Sequence, residues 1–294
     1  MSITFRLLLL FALGTAVVQA DELCTDPKAK AAANAQLAKA KSLETAGKLE
    51  EAYAAGSAAG DDCVDGAAFK QQVARKIAVR AEAGGKYRDA VDWYTKANAP
   101  AEADRVIRKW VQVTPVDRNA VSTGIDFYRM QNNAAQEQAM RDIAKRRVEA
   151  LLADEAKAFS APQKGTYALL RDAQEWAFYA NWGKPQIDER AQQRGDAFAK
   201  QTSRRFLEEA MRYYELGGSR TGVESVKRRA ATLGQQAEGR GEIELAIEFY
   251  RLADEDAKAD ALDKRNAALK QRAEEQRQQT FKNEQDDLEK ELGL

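Results

Sequence analysis

Apolar residues recur every three to four positions along almost the whole chain after residue 21, a spacing that predicts successive amphipathic helices. Runs of β-branched residues, which favour strands, are not found, and proline is scarce. The segment that begins at Pro100 shows the pattern with four apolar residues on one face, namely Ala103, Val106, Ile107 and Trp110. We therefore expect an all-α chain.

Glycine, asparagine and proline divide the periodic segments from one another. Gly47 and Gly85 interrupt the pattern near the start, and Asn132, Gly183 and Gly217 do so later. We predict helices over residues 28–46, 49–59, 67–83, 87–98, 100–113, 117–130, 134–159, 166–182, 187–216, 221–238 and 242–256. Beyond residue 257 apolar positions become sparse, so we expect a long, charged and solvated helix.

Two segments carry the same small and aromatic residues at a constant offset. The later segment contains Leu233, Gly234, Gly241, Ile243, Ala246, Ile247, Phe249, Tyr250 and Ala253, and the earlier one contains Gly85, Tyr87, Ala90, Val91, Trp93, Tyr94 and Ala97. This arrangement resembles the tetratricopeptide (TPR) repeat, a pair of antiparallel helices that stacks on its neighbours. The resemblance is specific over 73–98 and 227–256, moderate over 36–59 and weak elsewhere. It implies a TPR-like α-α superhelix (solenoid) of hairpins.

The pattern divides the chain into five segments. Residues 1–20 read as a signal peptide, 21–112 as N-terminal TPR-like hairpins and 113–185 as degenerate helical repeats. Residues 186–256 read as C-terminal TPR-like repeats, and 257–294 as a charged helical cap or tail.

The first twenty residues have the organisation of a secretory signal peptide. Arg6 supplies the positive charge, residues 7–18 are mostly apolar, and Val18 and Ala20 precede the expected cleavage point. The apolar run is too short to span a bilayer, which needs about 20 residues. We expect a periplasmic or secreted protein, with no integral membrane span once the signal has been removed.

The chain contains two cysteines, Cys24 and Cys63, and both belong to the exported part. An even pair in an oxidising compartment predicts a disulfide between them. A pair of free thiols, or a metal site, stays open as an alternative reading.

Composition excludes several functions. The chain carries 46 basic and 46 acidic residues, whereas proteins that bind nucleic acid depend on a surplus of cations. Without histidine, neither a Ser-His-Asp nor a Cys-His catalytic group can form. A glycine-rich phosphate loop is not found either. We expect no cofactor, no metal and no nucleic-acid partner.

The TPR resemblance also implies where a partner would bind, because TPR arrays hold extended peptides on the face formed by the first helix of each hairpin. Carried over by position, the residues of that face are Gln72, Arg75, Glu82, Arg228, Gln235 and Glu238. The two arginines favour a peptide with acidic groups or a free C-terminus. The alternative is that these are ordinary solvent-facing helix residues.

The sequence therefore predicts a non-enzymatic scaffold or adaptor that binds a peptide or protein in the cell envelope. One alternative is an enzyme acting on cell-wall glycan, with Glu175 among aromatic residues as the general acid. Another is a homo-oligomer formed through the C-terminal helix, where Leu262 and Leu269, and again Phe281 and Leu288, are seven residues apart.

Overall fold

The computed structural model describes residues 26–60, 65–159 and 166–292, with side chains as far as residue 288. These ranges contain thirteen helices and no strand. The helices are α1 (Pro27–Thr45), α2 (Leu49–Ala58), α3 (Gly66–Ala83), α4 (Tyr87–Lys96), α5 (Pro100–Trp110), α6 (Arg118–Met130), α7 (Ala134–Phe159), α8 (Tyr167–Ala180), α9 (Lys184–Ala199), α10 (Arg204–Leu216), α11 (Arg220–Gly239), α12 (Ile243–Leu252) and α13 (Asp256–Leu292). The prediction of an all-α chain with a long charged C-terminal helix is confirmed.

The helices form two compact units, one ending at Ala144 and the other beginning at Lys145, so α7 contributes to both. In the first unit each helix from α1 to α6 packs against the next one in sequence. In the second unit the helices from α8 to α13 do the same. Packing between sequence neighbours is the arrangement expected of a helical repeat.

Two kinds of turn recur within the hairpins. Between the first and second helix, Gly47, Gly85 and Gly241 adopt φ of 75°, 71° and 76°. After the second helix, the left-handed residue is Gly60, Asn98, Asn132, Gly218 or Asp254. Glycine reaches this region without a steric penalty, and Asn and Asp tolerate it better than other residues. Gly85 and Gly241 of the repeated motif therefore lie at turns whose backbone conformation favours glycine.

A small residue followed four positions later by a ring recurs along the second helices. The small residues are buried at Ala52, Ala90, Gly124, Ala210 and Ala246, and the residues four positions on are Gly56, Tyr94, Tyr128, Tyr214 and Tyr250. A Cβ added at Gly124 would lie 2.8 Å from Met140 Sδ, so helices approach closely there. The motif that is strong in two copies thus recurs in four hairpins, and in the first hairpin Gly56 stands at the position of the ring.

The predicted single helix over 187–216 is wrong, because the chain forms two helices, α9 and α10, with a break at residues 200–203. Ser203 caps α10 by accepting hydrogen bonds from the amide of Phe206. The ring of Phe198 stacks on Phe206 and on Tyr213, with centroids 5.9 and 5.5 Å apart. A continuous helix would place these rings too far apart along its axis to stack, so burial of the aromatic residues favours the hairpin.

The C-terminal helix α13 is attached by its first turns. Ala259 and Leu262 are buried against α12, whereas every described side chain from residue 267 to residue 288 is exposed. Within the described ranges, no helix combines the length and apolarity needed to cross a bilayer. The predicted signal peptide and both cysteines, Cys24 and Cys63, lie outside the described residues.

Candidate partner-binding groove

Glu82, one of the residues predicted to face a partner, is enclosed by cations from α5. Arg105 donates two hydrogen bonds to its carboxylate, at 2.8 and 2.6 Å, and Lys109 donates a third at 3.2 Å. The hydrogen bond from Arg105, with support from Lys109, lowers the pKa of Glu82 to about 2 against the opposing effect of burial. This carboxylate therefore joins α3 to α5 and has little freedom to bind a partner.

The other two candidates of the first unit are also engaged within the chain. Gln72 donates to Glu44 at 3.4 Å, and Arg75 lies 3.5 Å from Glu102. Glu44 additionally accepts a hydrogen bond of 2.7 Å from Lys76. Ion pairs thus link α1, α3 and α5 across the predicted binding face. An acidic peptide would have to compete with these carboxylates for Arg75.

The candidates of the second unit differ in their availability. Arg228 and Gln235 are exposed on α11, and within the part of the chain that the structure describes neither side chain makes an ion pair or a hydrogen bond. Glu238 accepts hydrogen bonds from Tyr250 at 3.0 Å and from Arg265 at 3.3 Å. Glu238 and Glu82 therefore have the same role, because each carboxylate accepts hydrogen bonds from a tyrosine of its own hairpin and from an arginine of the helix that follows.

A tyrosine on the second helix donates to a carboxylate on the first helix in four hairpins. Besides the pairs of Tyr94 with Glu82 and of Tyr250 with Glu238, Tyr128 donates to Asp104 at 2.6 Å and Tyr214 donates to Asp196 at 2.5 Å. Burial and the neighbouring carboxylate both raise the pKa of Tyr128 and of Tyr214, so both phenols stay protonated.

A shallow groove lies between α7 and α9 in the second unit. It is a groove of about 450 Å³ lined by Glu149, Leu152, Ala153, Trp182, Gln186, Glu189, Arg190 and Gln193. We call these eight residues the α7–α9 groove. Seven of them lie on one face of α7 or one face of α9, at spacings that follow the helical turn, and Trp182 lies in the turn before α9.

The two walls of the groove run side by side in the same direction. A Cβ on Gly183, just before α9, would lie 3.0 Å from Val148 on α7. Further along, Arg194 donates to both carboxylate oxygens of Glu155, at 2.8 and 3.1 Å. Glu155 is completely buried, and a bidentate pair of this kind fixes both distance and orientation. The α7–α9 groove is therefore a preformed surface.

Trp182 closes one end of the groove because of the turn in which it lies. Asn181 before it and Gly183 after it have φ of 50° and 94°. The amide of Trp182 donates to the carbonyl of Ala177, which completes the end of α8. The ammonium of Lys145 lies 4.9 Å from the centre of its ring. This contact holds the half-buried indole in place.

The polar residues of the groove differ in how far their hydrogen bonds and ion pairs are already made within the chain. Arg190 donates to the carbonyl of Leu152 at 2.5 Å and lies 3.5 Å from Glu155, so its charge is largely used by the wall itself. Glu189 accepts a hydrogen bond of 3.2 Å from Gln193. Glu149 is exposed and makes no ion pair with any residue of the described ranges. The groove thus combines an apolar wall with polar groups at its rim that can still bind a partner.

Glu175, the residue of the alternative glycan-acting hypothesis, is exposed on α8. Its carboxylate lies 4.0 Å from Arg171, and its side chain is 44% exposed. The adjacent Trp176 is buried in the core and does not enclose it. No group of acidic or sulfur ligands suited to a metal occurs within the described ranges. Glu175 is therefore an exposed carboxylate that lies outside the aromatic core of the unit.

The α7–α9 groove is not among the features predicted from the sequence. One signal was present, because Glu155 interrupts an apolar stripe formed by Leu151, Leu152 and Phe159. An acidic residue in such a register indicates a buried partner of opposite charge. The partner is Arg194, and the position of this arginine on a helix that is distant in sequence is a tertiary property.

No protein-family model matches the chain, and no curated protein sequence matches it either.

Proposed function

We propose that this chain is a non-enzymatic interaction scaffold of the TPR-like type, which binds a peptide or protein partner in the cell envelope. The α7–α9 groove carries the proposal, because it is a preformed concave surface between two helices. The export of the protein to the periplasm or outside the cell, after cleavage near Ala20, rests on the predicted signal peptide.

The dimensions and chemistry of the groove suit a short peptide segment. Its volume of about 450 Å³ falls within the roughly 300–1,000 Å³ of small binding sites. Leu152, Ala153 and Trp182 can pack against an apolar side chain, and Gln186 and Gln193 can hydrogen-bond to a peptide backbone. The buried pair of Glu155 and Arg194 limits the entropy cost of binding, because the walls are already in place.

The TPR-like assignment is supported by local features of the hairpins. Gly234 approaches the ring of Tyr250, with a hypothetical Cβ only 3.1 Å from it, as expected of the close-approach position in a first helix. Ala246 is fully buried where the two helices cross. The same small residues recur in hairpins of both units, which indicates that one structural unit has been repeated.

Filling the groove tests the proposal. Ala153 lines the groove and is exposed, so Ala153→Trp should block it without disturbing the core. Asp154→Trp adds the same side chain at the next exposed position of α7, outside the groove. We expect a partner captured from envelope extract by the wild type and by Asp154→Trp to be lost with Ala153→Trp. Equal capture by all three proteins would reject the groove.

A separate variant tests the prediction that the partner is acidic. Arg75→Glu combined with Arg228→Glu reverses two charges of the first helices, of which only Arg228 is without an ion pair in the described ranges. Loss of the partner in this folded double variant would place binding on the face carrying these arginines. Retention, together with loss in Ala153→Trp, would place binding in the α7–α9 groove.

The glycan-acting alternative is tested in parallel. If the purified mature chain released fragments from peptidoglycan and Glu175→Gln did not, the enzymatic hypothesis would replace the scaffold. We expect no release from either protein.

A further inference from the structure

The second half of α13 is a long solvated helix with exposed apolar side chains. From residue 267 to residue 288 every side chain is exposed, and Leu269, Phe281 and Leu288 are 55%, 69% and 57% exposed. A helix of this length without tertiary packing is only marginally stable in water, because most helical stability comes from packing of one face. This segment would therefore gain stability from a partner.

The apolar residues of this segment fall on one side. At 3.6 residues per turn, a sector of about 120°, whose margins also carry Lys270 and Asp287, contains Leu269, Ala273, Arg277, Thr280, Phe281, Glu284 and Leu288. We call these seven residues the α13 stripe. Five of them, together with Gln276, line a shallow depression of about 410 Å³. The stripe is a continuous surface, with one basic and one acidic residue near its centre.

Charge is distributed unequally along this part of the helix. Residues 264–277 contain five basic and two acidic residues, whereas residues 278–291 contain two basic and five acidic residues. Two copies in parallel would place like charges opposite each other. Two copies in antiparallel orientation would place the basic segment of each against the acidic segment of the other. The segment is therefore self-complementary only when antiparallel.

We propose that the α13 stripe is a self-association surface, on which α13 of a second copy packs in antiparallel orientation. In the proposed register Arg277 faces Glu284 of the second copy. The same register places Ala273 opposite Leu288 and Thr280 opposite Phe281. Arg277 lies 3.7 Å from Glu274 of its own helix, but both side chains are highly exposed, so this weak pair leaves the guanidinium available. The surface is separate from the α7–α9 groove and extends the proposed function.

Charge reversal of the full mature chain tests the register. We expect the wild type to be a dimer by light scattering combined with sedimentation equilibrium. Arg277→Glu and Glu284→Arg each create two like-charge contacts in the symmetric dimer. Each single variant should therefore raise the dissociation constant about tenfold or more. The double variant R277E/E284R restores opposite charges, so its dissociation constant should return close to that of the wild type.

Lys282→Glu is the matched control. It makes the same change of charge on the same segment, about 140° around the helix from Arg277. We expect its dissociation constant to equal that of the wild type, and circular dichroism should show equal helix content in all variants. A monomeric wild type would overturn the proposal, and so would a dimer that neither single reversal weakens. Failure of the double reversal to restore the dimer would overturn the antiparallel register.

Discussion

The hydroxyl of Tyr128 donates a hydrogen bond of 2.6 Å to Asp104, which joins the second helix of its hairpin to the first. Tyr214 makes the equivalent bond to Asp196, and Tyr250 makes it to Glu238. Each tyrosine lies four residues after a small residue at which the helices cross. The ring fills the gap between the two helices, and its hydroxyl donates a hydrogen bond to a carboxylate of the first helix. The repeated hairpin is thus defined by a polar contact as well as by apolar packing.

Removing the hydroxyl of Tyr128 should destabilise the first unit. Tyr128 is buried, and its bond is to a charged acceptor, so Tyr128→Phe is expected to lower the free energy of unfolding by about 1–2 kcal/mol in chemical denaturation. Tyr53→Phe is the control, since that hydroxyl makes no hydrogen bond within the described residues, and it should change stability by less than about 0.5 kcal/mol. Equal effects of the two substitutions would argue against the contact.

Neutralising Glu155 should lower the free energy of unfolding of the second unit by more than Tyr128→Phe lowers that of the first. Glu155→Gln leaves the guanidinium of Arg194 without its counter-ion. Breaking a buried pair costs about 3–5 kcal/mol, and since Arg194 is only partly buried we expect a loss near the lower end of that range. Glu149→Gln makes the same change six residues earlier on an exposed part of α7, and a change within about 0.5 kcal/mol is expected. If denaturation showed Glu155→Gln to be as stable as this control, α7 and α9 would not depend on the pair.

Two glycines of α11 should respond oppositely to alanine. A Cβ at Gly222 would overlap the ring of Tyr214, so Gly222→Ala is expected to cost about 1–3 kcal/mol through overpacking. A Cβ at Gly239 would meet no atom within 4 Å, so Gly239→Ala should be neutral or stabilise the helix by up to about 1 kcal/mol. Thermal unfolding of the two variants measures the difference. A neutral Gly222→Ala would contradict the close packing of α10 and α11.

The pH dependence of stability should report on Glu82. Its pKa is about 2 in the folded chain and about 4.5 when unperturbed, so the unfolded state takes up a proton first as the pH falls. The contribution of Glu82 to stability is therefore complete above about pH 4.5 and is lost as the pH falls towards 2. In Glu82→Gln the free energy of unfolding should depend less steeply on pH across this window. Identical slopes for the variant and the wild type would contradict the role assigned to Arg105 and Lys109.

Much of the fold could be predicted from the sequence because its determinants are local. The periodic apolar residues place most of the helices, and Gly85 and Gly241 mark turns whose backbone conformation favours glycine. The break between α9 and α10 was missed because residues 200–203 contain neither glycine nor proline. Only Ser203, a good helix cap, indicates it, and the stacking of Phe198 on Tyr213 that stabilises the hairpin is a contact distant in sequence.

The candidate site could be predicted less well, because it depends on which helices pack together. Glu82 and Glu238 were singled out as residues for a partner, yet their carboxylates bind Arg105 and Arg265 of following helices. Charged residues at equivalent positions serve the packing of repeats as readily as the binding of ligands. The α7–α9 groove escaped prediction since α7 and α9 are separated in sequence by α8, and no local pattern records their alignment.

Site-specific photo-crosslinking in the cell envelope shows whether a partner occupies the α7–α9 groove. A photoreactive amino acid is placed at Ala153 or Gln193 in the α7–α9 groove, and at the exposed Phe178 of α8 as a control outside it. We expect both groove positions to crosslink to the same partner and position 178 not to do so. Crosslinking at position 178 alone, or no adduct from either groove position while the partner still co-purifies, would contradict the proposed binding in this groove.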